Sequence, residues 1–172
     1  TGRKAAAWKD FDRLREEQKY EEAAKVVEKI LERARTTKDG EEWTRALIRT
    51  VQIRMALHGY ETAVRFLKDE PWPTDLLSRV SLNLFYAHSL TTYAHAYSWE
   101  IHQREKVSSK DVVDLKAWTM DEVFANAQKA CDEVWQIRDQ LGNQSVSVLS
   151  EFINENTYPK EIRKTLRDAV SY

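Results

Sequence analysis

The chain has 172 residues, with 27 Lys and Arg against 28 Asp and Glu, for a formal charge of −1. That is the length of one domain, and the even balance leaves no basic footprint for nucleic acid or an anionic membrane surface. Four Gly and three Pro are too few for the closely spaced turns of a sandwich or barrel, and six Trp argue against disorder.

The expected fold is all-α, one domain over 1–172. Ala7, Trp8, Phe11 and Leu14 fall at helical spacing in a first helix. Tyr20, Ala23, Ala24, Val27, Ile30, Leu31 and Ala34 repeat the pattern in a second, with Lys, Arg and Glu on the opposite face. Thr36 to Gly40 reads as the break before another pair. Trp43, Leu47, Val51 and Met55 line the third helix, Gly59 turns the chain, and Tyr60, Ala63, Val64 and Leu67 line the fourth. Pro71-Trp72-Pro73 ends it, because neither proline can donate the helical hydrogen bond. Residues 1–70 are thus two antiparallel hairpins, and 74–172 hold a long central helix and the C-terminal helices.

Between Arg79 and Glu100 no residue is charged. A helix of that length spans about 30 Å, the thickness of a bilayer core. Asn83, His88, His95 and many hydroxyls make a membrane span costly, so one long central helix, from about Thr74 to Gln103 and contacted on most sides, is expected. Arg104 to Lys116 reads as a polar connection. Thr119 and Glu122 form a capping-box pattern. The helix behind it places Val123, Ala127, Cys131, Val134 and Arg138 on one stripe and stops at Gly142. Ser145–Ile153 is expected as one short helix, 154–158 as a loop, and Pro159 at the first position of a last helix. Leu166 to Tyr172 has no stop signal, so the chain is expected to be part of a longer protein.

The segments Gln18-Lys19-Tyr20-Glu21-Glu22-Ala23 and His58-Gly59-Tyr60-Glu61-Thr62-Ala63 match in register, each behind a Trp-bearing helix. This aromatic-x-x-Ala opening resembles the second helix of tetratricopeptide repeats, where Ala lets paired helices approach closely. The spacing of the two tyrosines exceeds the usual ~34-residue period, so the array is expected to be TPR-like but irregular. With both rings buried, Tyr20→Ala or Tyr60→Ala would each cost roughly 3–5 kcal/mol.

No residue set with the spacing of a catalytic, cofactor or metal site is found. His88, His95 and His102 recur every seven residues, about 10.5 Å apart along a helix, too far to share one metal. They are expected as partly buried, hydrogen-bonded side chains. Cys131, the only cysteine, is expected as a small buried residue rather than a nucleophile. Glu21-Glu22, Glu41-Glu42 and Asp132-Glu133 are adjacent carboxylates, which diverge on a helix and read as surface charges. Trp8, Trp43, Trp99, Trp118 and Trp135 are expected to pack inward. Trp72, between two prolines, is the candidate partner contact, since Trp favours interface centres.

Three stretches support a family resemblance. They are Trp8-Lys9-Asp10-Phe11 with Tyr20-Glu21-Glu22-Ala23-Ala24, Glu42-Trp43-Thr44-Arg45-Ala46-Leu47, and Asn156-Thr157-Tyr158-Pro159-Lys160-Glu161 running into Leu166-Arg167-Asp168-Ala169-Val170-Ser171-Tyr172. Together they resemble the N-terminal helical region of large bacterial alpha-2-macroglobulin-like proteins. The resemblance implies an envelope or periplasmic parent that traps or inhibits proteases, with this region contacting adjacent domains or a protein partner. The family's Cys-x-Glu-Gln thioester is absent, because Cys131 is followed by Asp132-Glu133-Val134. The expected function is a non-catalytic interaction module; the alternative is an independent TPR-like adaptor, cytoplasmic or not, that binds a peptide.

Overall fold

A computed structural model describes residues 2–106, 113–152, 159, 161–162 and 164–171. Among them the chain is all-α: α1 Gly2–Glu16, α2 Tyr20–Thr37, α3 Gly40–His58, α4 Tyr60–Asp69, α5 Leu76–Ala96, α6 Ser98–His102, α7 Met120–Leu141 and α8 Leu166–Ser171. A 3₁₀ turn spans Val146–Leu149, and an isolated bridge pairs Ser145 with Thr165.

Helices α1 to α4 pack each against the next, and the α2–α3 contact is more extensive than either α1–α2 or α3–α4. The break between the expected hairpins is therefore a tight joint. Lys38 takes the left-handed conformation, and the Asp39 carboxylate caps α3 by accepting from the Glu42 N–H at 3.1 Å. Gly59, at φ 82°, closes α3 and opens α4, a conformation that any side chain would strain.

Helix α5 is the centre, touching α3, α4, α6 and α7, with the longest contact to α7. Leu82 and Leu90 are fully buried. Its buried polar side chains bond back along their own helix. Ser81 donates to the Leu77 carbonyl, Ser89 to Phe85 and Asn83 to Arg79, at 2.8, 2.8 and 3.0 Å. That lets a charge-free polar run sit inside a protein core, and no described helix is long and apolar enough to cross a membrane. The capping box of α7 is formed, with the Thr119 N–H donating to Glu122 at 2.9 Å.

The main core runs from Trp8, Phe11 and Leu14 through α2–α5 to Val113, Leu115 and α7. A second cluster joins Val80, Val134, Leu141, Leu149 and Leu166. The Arg104 guanidinium fastens the connection before α7, donating to the Leu115 and Trp118 carbonyls and to the Tyr93 hydroxyl.

Four expectations are corrected. The central helix is not continuous over 74–103; it stops at Ala96, and Tyr97 turns the chain into α6. Ser145–Ile153 is not one helix: it contributes only the 3₁₀ turn, with Ile153 outside the described residues. Pro159 does not open the last helix; the described residues between it and Thr165 are non-helical, and the bridge to Ser145 delays the start to Leu166. Tyr20 and Tyr60 are half-buried, since each opens a helix at the edge of the array. Tyr60 rests against Tyr93 and Tyr97, at ring separations of 6.0 and 6.3 Å. Tyr60→Ala is therefore expected to cost about 2 kcal/mol, below the fully buried value. Thermal unfolding checks it, and a melting point unchanged from the parent would contradict this packing.

Candidate functional site

The Pro71-Trp72-Pro73 segment ends α4, and the neighbouring chain there is the start of α3. Pro73 is buried and Trp72 half-buried. The Trp72 indole N–H donates to the Leu67 carbonyl at 2.7 Å, and the Lys68 ammonium lies 5.0 Å from the ring centre. Trp72 is thus a fixed wall rather than a free anchor, and it faces a cleft of about 570 Å³. Trp43 from α3 lines the same cleft, and so do Arg35 and Lys38 from the end of α2.

Polar contacts hold the cleft's edges. Arg35 is ion-paired with Glu70, which ties α2 to the end of α4. Asp75 caps α5 by accepting from the Ser78 N–H at 3.0 Å, and the Ser78 hydroxyl reaches the Gly40 carbonyl at 3.2 Å. A Cβ at position 40 would lie 2.3 Å from an Asp75 oxygen, so a side chain there would displace the carboxylate that caps α5. The Trp43 indole N–H is buried without a partner. A buried donor left unpaired costs about 1–3 kcal/mol.

The sequence singled out Trp72 but not Trp43. Residues 43 and 72 meet only because α2–α3 and α4–α5 turn at the same end, and nothing local signals that.

Other expectations move. Trp8 and Trp118 are buried, but Trp99 is 78% and Trp135 46% exposed. Trp99 sits on the short α6 beyond the turn at Tyr97, outside the face that α5 buries. On α7, Phe124, Cys131 and Trp135 share one exposed stripe beside the buried Val123–Ala127–Val134 face, with Arg138 stacked over Trp135 at 3.9 Å. Cys131 is therefore exposed, not buried. Its thiol is still pushed above its ordinary range by partial desolvation and the Asp132 charge. Native protein should react fully with a thiol reagent without denaturant. The rate should be low at neutral pH and rise about tenfold per pH unit as thiolate forms. A thiol reached only after unfolding would contradict this placement.

His88, His95 and His102 are all exposed; His102 alone closes a local bond, Nδ1 to the Ser98 carbonyl at 2.6 Å. Among the described residues no three His, Cys, Asp or Glu side chains group as metal ligands would. Glu42 is not a surface charge. It is 7% exposed and reaches Arg33 at 2.6 Å and Lys4 at 3.5 Å.

Tyr86 is fully buried on α5, and burial pushes its phenol up to about 12. Folding favours the protonated ring, so this contribution is complete below pH 10 and is lost as pH rises toward 12. Phenolate absorbance should show the Tyr86 phenol ionising only at about 12, at the onset of alkaline unfolding. A phenolate difference signal lost on Tyr86→Phe near pH 10 in folded protein would contradict it.

No protein-family model, curated protein or solved structure matches this chain.

Proposed function

We propose that the chain is a non-catalytic helical interaction module, TPR-like in its first 70 residues, whose Trp43–Trp72 cleft receives an extended segment of a protein partner. The observation that supports this reading is the shared wall. Two tryptophans from different hairpins line one cleft, and one of them is fixed from behind. Aromatic walls supply contact area at low entropic cost. Much of the charged inventory already serves structure: Asp39 and Asp75 as caps, Arg104 as a clamp, Glu42 with Arg33 and Lys4. A catalytic reading would need such groups free and converging.

We take the partner segment to belong to an adjoining domain of the same polypeptide, a large alpha-2-macroglobulin-like envelope protein that traps or inhibits proteases. The support for that parent is the resemblance of the stretches around Trp8, Trp43 and Glu161 to the family's N-terminal helical region. An antibody to the domain, used to blot native cell fractions, tests it. A band far above the 20.2 kDa of this chain in the envelope fraction supports the reading. A band near that mass in the cytosol would sink it and leave a stand-alone peptide adaptor.

A further inference from the structure

Where α4, α5 and α7 meet lies a recess of about 210 Å³, lined by residues other than those of the Trp43–Trp72 cleft. Its walls include Lys68, Tyr86, Asn126, Lys129 and Glu133. Lys68 is held over two rings, 4.5 Å from the centre of Tyr86 and 5.0 Å from that of Trp72. Among the described residues neither Lys68 nor Lys129 is ion-paired. The Tyr86 hydroxyl is buried with no hydrogen-bond partner. The Asn126 amide is committed to the Glu122 carbonyl at 2.9 Å. Two ammonium groups and one carboxylate leave the walls with a net positive charge.

A half-buried lysine with no direct ion pair is unusual, because its charge loses hydration while the nearest carboxylate, Glu133, acts only from a distance. Burial indeed lowers the Lys68 ammonium below its ordinary range, against the pull of Glu133. A phenol hydroxyl unpaired in the same wall adds a second unmet demand of complementary kind: all three free groups donate, and the missing partner is an acceptor with negative charge. The volume is below the ~300 Å³ at which drug-sized pockets begin, which restricts the ligand to a small one.

We propose that this recess binds a small oxyanion, a phosphate or a dicarboxylate, between Lys68 and Lys129, with the Tyr86 hydroxyl as third donor. Lys68 gives up aromatic stacking for a charge-assisted hydrogen bond, which is the stronger of the two.

The test is an NMR titration of the whole chain with inorganic phosphate, with succinate and with sodium chloride at matched ionic strength. The reporter is the Trp72 indole N–H, next to Lys68. Expected is a saturable shift of that resonance with phosphate or succinate, none with chloride, and no movement of the distant Trp8 indole. Saturation by phosphate alone assigns a phosphate ligand, and saturation by succinate a carboxylate one. Lys129→Met, an exposed change that leaves the core intact, should weaken binding about tenfold. Lys68→Met should do at least as much, and Tyr86→Phe should weaken binding while leaving the free protein no less stable. Lys9→Met on α1 should bind as the parent does. Absence of a saturable shift with either anion, or unchanged affinity in Lys129→Met, would overturn the proposal even if Lys68→Met failed to fold.

Discussion

Leu90→Ala should lower stability by roughly 3–5 kcal/mol and the melting temperature by about 10 °C. Leu90 is fully buried near the middle of α5, in the core shared by α3, α4 and α7. Truncation there removes the transfer energy of the side chain and leaves a cavity among helices that cannot all collapse inward. Trp99 comes from the same uncharged run, nine positions later, yet it is 78% exposed. Trp99→Ala should stay within about 0.5 kcal/mol of the parent. Chemical denaturation of the two variants checks the contrast. Similar losses in both would mean that α5 and α6 form one buried helix, against the turn at Tyr97.

Glu42→Ala should cost roughly 2–3 kcal/mol, the lower part of the range for breaking a buried ion pair. Its carboxylate lies between Arg33 from α2 and Lys4 from α1, so one residue of α3 ties three helices. The cost stays below the full buried value because Arg33 and Lys4 keep side-chain exposures of 30% and 42%. A double-mutant cycle with Arg33→Met isolates the pair, and a coupling below about 0.5 kcal/mol would contradict a structural role for Glu42.

The all-α class was legible because helical periodicity, capping residues and the scarcity of Gly and Pro all agree. The α7 capping box and the Gly59 and Gly142 stops were read correctly, since each depends on residues a few positions apart. Periodicity failed where two helical faces lie close in angle. Cys131 and Trp135 sit only about a fifth and a third of a turn from the buried α7 stripe, so one-dimensional spacing could not say which side the neighbouring helix covers. Glu42 looked like an ordinary first-turn carboxylate, and its burial comes from α1 and α2 closing over it. The C-terminal segment misled because the Ser145–Thr165 bridge, a contact across twenty positions, overrode the helix-opening preference of Pro159. The Trp43–Trp72 cleft was half visible: proline placement flagged Trp72, and its partner wall arises only in three dimensions.

A partner segment seated in the Trp43–Trp72 cleft should lie within reach of its rim. This is tested most directly by placing a photo-crosslinking amino acid at the exposed rim position Glu41 in native host cells. The control position is Glu22, near the opposite end of α2 and roughly 22 Å along it. Crosslinks from position 41, mapped to another domain of the same polypeptide or to one defined protein, with none from position 22, are the predicted result. Equal crosslinking from both positions, or none from position 41, would mean that the cleft does not receive a partner segment.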